Sequence, residues 1–213
     1  MRSSPHVTSA NLLALHALRC IGFAALSRVS EATGLSEADT ESELIDLAAA
    51  GLVQYVPGDF GAWGLTEAGR AADAERISGE LDTAGTRPVV AKAYDAFLVL
   101  NPELLDLCTA WQMRPVGGVP TWNDHTDSAY DSRVLDRFAD LDQRLQDACA
   151  ELWAAMLRFG RYRLRLTDAL TRARAGALDY VTDNMSSYHI VWFQLHEDLL
   201  ATLGIPRPDP GHR

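Results

Sequence analysis

The chain has 213 residues, 47% of them hydrophobic and 23% charged, with a net charge of −10. That apolar content excludes a disordered chain and suffices for one large or two small cores. The acidic balance is wrong for a general nucleic-acid binder, whose footprint is basic, and no apolar run approaches the roughly 18 residues of a membrane span.

Ser9 or Thr8 caps a first helix over about residues 9–20, where Leu12, Leu15 and Leu18 recur in helical rhythm. Ile21, Gly22 and Phe23 break it. A short helix over about 24–32 stops at Gly34, which supplies the left-handed residue of a helix-turn-helix. Ser36 and Asp39 open a third helix over about 37–50, with Ala38, Leu44, Ile45, Leu47 and Ala48 as its apolar face. Residues 52–56 are β-rich, 57–61 are turn-forming with Asp59 at the tip, and 62–65 return as a second strand. Thr66 and Glu67 start a helix that runs to about Leu81, and residues 83–88 read as a domain boundary. Helices are then expected over about 89–100, 102–113, 130–158, 161–175 and 186–203. An irregular loop over 115–128 interrupts them, and loops of that length often carry function. Residues 206–213 are expected to be a disordered tail.

The expected fold is mainly α with a small β-wing. An N-terminal winged helix-turn-helix domain covers residues 1–84, and a C-terminal helical domain with a small-molecule pocket covers 85–205. Charge conflicts with this at one place. The third helix, which in such modules meets DNA, carries Glu37, Asp39, Glu41 and Glu43. Residues 1–85 hold five arginines against twelve acids, so the expected DNA-binding half is the more acidic one. Ser36, Thr40 and Arg70 are its candidate DNA contacts. The alternative use of the module is as a scaffold or as a surface for a protein partner.

The strings Gly51-Leu52-Val53 and Leu65-Thr66-Glu67-Ala68-Gly69-Arg70 resemble those of MarR-like bacterial winged-helix regulators. Further strings are Leu107-Cys108-Thr109-Ala110-Trp111-Gln112, Asn123-Asp124-His125-Thr126-Asp127-Ser128-Ala129-Tyr130-Asp131, and the segment from Ser187 to Leu200, SYHIVWFQLHEDLL. Through these the chain resembles, nearly end to end, a group of actinobacterial proteins that join a winged helix to a helical domain. Members of that group are usually labelled transcriptional regulators, and some are associated with phosphoenolpyruvate-utilising dikinase-like enzymes. The resemblance implies a dimeric, ligand-responsive regulator.

The helical half holds the denser chemistry. On one helix His189, Trp192, Phe193 and His196 fall at i, i+3, i+4 and i+7, with Glu197 beside them, and so share a face that could line a pocket. A core helix with satisfied histidines is the competing reading. Asp124, His125 and Asp127 offer a carboxylate–imidazole pair for proton transfer, or simply caps for the next helix. Candidate catalytic residues are therefore His125, Asp127, His189, His196 and Glu197, should the chain be an enzyme or an enzyme's accessory subunit. Candidate ligand contacts are Trp111, Asp124, His125, Arg161, Tyr188, His189, Trp192 and His196. Arg158, Arg161 and Arg165 recur at i, i+3 and i+7, where guanidinium forks suit an anion but a solvated face is the plainer reading. Trp111, Trp122 and Trp153 are expected chiefly to build core. No HxxxH or HExxH spacing occurs, so neither metal nor cofactor is expected. Cys20, Cys108 and Cys149 have no CxxC spacing and read as small buried hydrophobes. The start MRSSPHVTSANLL lacks the pattern of a secretion signal, so a cytoplasmic protein is expected.

Overall fold

The Ser9 hydroxyl accepts a hydrogen bond from the Leu12 amide (3.3 Å) and so begins α1 (Ala10–Ile21) in a computed structural model that describes residues 4–58 and 61–206. Asp59, expected at the tip of the turn between the two strands, and residues 207–213 of the expected tail lie outside the described residues. Helix α2 (Leu26–Thr33) ends where Gly34 turns left-handed at φ 69°. Ser36 accepts from the Asp39 amide (3.1 Å) and starts α3 (Glu37–Ala49). An antiparallel hairpin follows, β1 (Val53–Val56) and β2 (Ala62–Leu65), with Val53 opposite Leu65. Ala24, between α1 and α2, exchanges two backbone hydrogen bonds with Trp63 (2.9 and 2.8 Å) and so extends the hairpin by one more strand position. Leu12, Leu15, Leu18, Val29, Leu44, Leu47, Val53, Leu65 and Ile77 form the core of this unit.

Helix α4 (Glu67–Ala84) begins at a tight joint. The Thr66 hydroxyl accepts from the Gly69 amide (3.0 Å) and donates to the Gly51 carbonyl (2.8 Å). A Cβ on Gly69 would lie 1.8 Å from the Leu52 carbonyl oxygen, so only glycine lets α4 sit this close to the chain entering β1. After Gly85 the chain runs straight into α5 (Arg87–Gln112).

Helix α5 corrects the expectation of two helices over 89–100 and 102–113. It is continuous through Pro102, which forfeits one helical hydrogen bond. Apolar residues on both sides of the proline, Phe97 and Leu100 before it and Leu104, Leu107 and Trp111 after it, are buried in the same core, which favours one rigid element. The expected irregular loop is also corrected. Most of it is a second hairpin, β3 (Met113–Val116) and β4 (Val119–Trp122), closed by Gly117 and Gly118 at φ 59° and 83°. Two left-handed residues are what a two-residue hairpin turn of the primed type requires.

The chain then forms α6 (Ser128–Ala155), α7 (Gly160–Arg174) and α8 (Tyr188–Leu203), with short 3₁₀ turns over Leu157–Phe159 and Leu178–Tyr180. Helices α5 to α8 enclose a second core built on Phe97, Trp111, Phe138, Tyr188 and Trp192. The described architecture is thus mainly helical with two small antiparallel hairpins. Helix α8 packs on α5 and α7 within the helical unit and also on α1 and α4 of the first unit. Leu81, near the end of α4, already belongs to the second core. No described helix is long and apolar enough to cross a membrane.

Candidate functional site

The densest buried chemistry lies where α1 and α4 meet α7 and α8. On α4 the residues Gly69, Asp73, Ile77 and Leu81, spaced by four, form the buried stripe, and this places an aspartate inside. The His16 ring on α1 stands between two carboxylates, with Nδ1 2.9 Å from Asp73 and Nε2 3.1 Å from Asp198. Tyr162 donates to Asp198 (3.0 Å), and so does Thr202 (2.9 Å). Arg158 is buried beside them, ion-paired to Glu80 (2.8 Å) and donating to Thr202 (2.8 Å). At the rim Arg19 of α1 pairs with the buried Glu197 of α8 (3.0 Å).

Burial alone would lower the pKa of His16, but Cys20, Asp198 and Asp73 around it more than reverse this and hold it well above the usual imidazole value. Burial likewise works to raise Asp198, and the charges of His16 and Arg158 overcome it, leaving the carboxyl at about 2. The ring is therefore an imidazolium that donates to one carboxylate from each unit. His16, Cys20 and Asp198 do bring one ligand atom each within 4.8 Å of one another. Both His16 nitrogens already face carboxylates, however, and burial raises the Cys20 thiol, so the trio reads as an ion clamp.

A narrow cleft opens above this network, with about 30 Å³ of interior space. Leu13, Ala17, Ile21, Thr33, Arg161 and Arg165 line it over the clamp. Arg161 and Arg165 are one turn apart on α7. Among the described arginines and lysines that are not exposed, they are the two with no carboxylate within 4 Å. The Nε atoms of both are buried without a hydrogen-bond partner. Arg161 leans on the end of α2, where a Cβ on Gly34 would collide with its guanidinium, and it donates to the Glu31 carbonyl (3.4 Å). Arg165 donates to Gln194 (2.6 Å). Burial, and then the charge of Arg165, lowers the pKa of Arg161; burial, partly offset by Tyr162 and Glu31, lowers that of Arg165. Two guanidiniums in this state have charge left to satisfy.

Of the ligand contacts expected from sequence, Arg161 alone lines this cleft. Tyr188 and Trp192 are core residues instead, because their side of α8 is pressed against α5 and α6: Trp192 stacks on Phe97 at 4.7 Å and donates to Asn101. His196 lies against Phe97 and Tyr94, and His189 is half-buried, its pKa lowered by burial. Phe193 points outward, 43% exposed, so the expected His–aromatic face of α8 is split between core and surface. Asp127 caps α6 through the Tyr130 amide (2.9 Å), and Asp124 pairs with Arg114 (3.0 Å).

His125 does find a carboxylate. Its Nδ1 lies 3.0 Å from Asp131, its ring is 4.6 Å from that of Trp111, and its backbone is left-handed at φ 57°. Asn123 donates to the other Asp131 oxygen (2.8 Å) and to the Trp111 carbonyl (3.0 Å). These bonds hold a tight connection between β4 and α6 closed. Of the expected DNA contacts, Thr40 is fully buried and is corrected to a core residue, and Ser36 is occupied by Asp39 (2.6 Å); Arg70 is exposed. Trp122 and Trp153 are 68% and 55% exposed rather than core, Trp122 because all of β4 is exposed and Trp153 because it lies off the buried stripe of α6. Arg158 is buried rather than solvated, and Arg163 and Arg172 pair with Asp142 and Asp168. Cys108 and Cys149 are buried thiols, raised by burial to about 12 and about 11.

The clamp residues His16, Asp73 and Asp198 escaped the sequence reading. One local signal existed, since each is a titratable group on a buried helical stripe: His16 beside Leu12 and Leu15, Asp73 between Gly69 and Ile77, Asp198 between Leu195 and Leu199. No protein-family model, curated protein or solved structure matches this chain.

Proposed function

We propose that this chain is a regulator-type protein of winged-helix architecture that binds a small anionic metabolite by its carboxylate or phosphate at the mouth of the cleft, on Arg161 and Arg165. The observation that carries it is that guanidinium pair. In a chain of net charge −10, two neighbouring half-buried cations are left without a carboxylate. A carboxylate or phosphate would supply the missing acceptors in a bidentate geometry. The winged-helix assignment is supported by the order of three helices and a hairpin, the left-handed Gly34, the Ala24–Trp63 bridge and the Thr66 cap. Residues of α1, α2 and α7 all line the cleft, so an occupant bridges the two units and can bias their packing.

Reading DNA through α3 is disfavoured. Thr40 is buried, the outward side chains are acidic, and no lysine or arginine occurs between Arg28 and Arg70. Enzyme chemistry at His125 is disfavoured as well, because Asp131, Asn123 and Trp111 already engage one another and the ring in closing the turn.

Calorimetry and thermal melts with succinate, citrate, inorganic phosphate and glycerol 3-phosphate, with glycerol as the neutral control, test the reading. At least one anion is expected to raise Tm by about 5 °C at a hundredfold excess over its Kd. Arg165→Gln, which keeps the Arg161 packing on Gly34, should weaken that anion about tenfold or more. A flat response to all four anions overturns the proposal.

A further inference from the structure

The α3 and hairpin face is acidic and apolar at once. Glu37, Glu41 and Ile45 follow one another at intervals of four on α3, and all three are exposed. Beside them Leu26, Glu41, Ile45, Tyr55, Gly61 and Trp63 line a shallow groove of about 450 Å³. One ring of its floor is placed by a glycine. A Cβ on Gly61 would lie 1.9 Å from the Tyr55 hydroxyl, so the Tyr55 ring lies against bare backbone. Tyr55 and Trp63 pack at 5.1 Å between centroids. The groove stays open: Ile45 is 54% exposed and Tyr55 52%. Clustered large apolar side chains with acid along one edge are more than a solvated surface needs.

We infer that this groove docks a basic amphipathic segment of a partner protein, with its apolar side chains on Leu26, Ile45, Tyr55 and Trp63 and its lysines or arginines along Glu37 and Glu41. Charge complementarity selects this occupant. The groove lining holds Glu41 and no cation, and Glu37 lies one turn before it, so neither a nucleic acid nor a second copy of the same face can neutralise it. Helix-in-groove recognition needs this combination of an apolar floor and a charged rim. The inference stands whether or not an anion binds at Arg161 and Arg165.

A photo-crosslinking amino acid placed at Ile45 in the producing cell tests it. The expected product is one protein joined at a segment that alternates apolar residues with lysine or arginine. That segment, made as a labelled peptide, should bind the purified full chain, and should lose at least tenfold in affinity to Glu41→Lys and to Tyr55→Ala. Both substitutions are at exposed positions, and circular dichroism checks that the fold persists. Cross-links to DNA, to another copy of this chain or to a segment without cations, or none at all, overturn the inference. So does a peptide whose binding ignores Glu41→Lys.

Discussion

Gly69 and Gly79 lie on the same helix and predict opposite responses to one methyl group. At Gly69 the new Cβ would meet the Leu52 carbonyl oxygen at 1.8 Å, and that backbone is fixed by the hydrogen bonds of Gly51 and Leu52 to Thr66. Gly69→Ala is therefore expected to destabilise by about 2 kcal/mol or more. At Gly79 nothing lies within 4 Å, and a glycine inside a helix costs conformational entropy, so Gly79→Ala is expected to stabilise by about 0.5–1 kcal/mol. Urea melts of the two variants decide it, and equal shifts of the midpoint would contradict the packing at Leu52. The motif Leu65-Thr66-Glu67-Ala68-Gly69-Arg70 was visible in the sequence and its Thr66 cap was readable there. The reason for its glycine was not, because Leu52 meets Gly69 only after the hairpin has folded back.

Elements differ in how far local signals carry. Helices α1, α2 and α3 follow their caps and stops closely, since Ser9, Gly34 and Ser36 act through bonds a few residues away. Helix α5 does not obey its local signal. Pro102 reads as a break, yet Phe97 and Leu107 on either side of it enter one core and keep the axis continuous. Pro102→Ala is accordingly expected to restore the missing hydrogen bond and to stabilise by about 1–3 kcal/mol. Thermal melts of the variant check this, and an unchanged or lowered Tm would mean that the proline sets a bend the core requires. The β3–β4 hairpin shows a different limit. Its strands carry two prolines opposite each other, Pro115 and Pro120, which masked the pattern, while Gly117-Gly118 at the turn was the signal that pointed to a hairpin.

Ion pairs as well as apolar packing join the two units, so stability should depend on pH at both ends. Asp198 sits at about 2, below its usual 3.8, so its contribution is complete above pH 4 and is lost as pH falls toward 2. That shift corresponds to about 2 kcal/mol. His16 is shifted upward, so its contribution is complete below its unfolded value near 6.5 and is lost as pH rises through its higher folded value. Urea unfolding as a function of pH should give a broad plateau with an acid fall that Asp198→Asn flattens. His16→Gln leaves two carboxylates buried without their cation and should cost about 3–5 kcal/mol in the plateau. A variant that keeps the wild-type alkaline limb would remove His16 from that role.

The sequence by itself determined the order of elements from α1 to α4, the caps at Ser9, Ser36 and Thr66, the mainly helical class and the acidic residues of α3. All of these follow from neighbours within a turn or from composition. Only the tertiary structure decided which charged groups face one another. His16, Asp73 and Asp198 are 57 and 125 residues apart along the chain, and each by itself reads as an ordinary helical polar residue. Their meeting depends on α8 crossing onto α1 and α4. The same crossing buries Arg158, leaves Arg161 and Arg165 beside an open cleft, and draws Trp192 away from the surface it would share with Phe193 on an isolated helix. Charge pairing acts through space at a few ångströms, and the chain contains no local record of which distant helices will come that close.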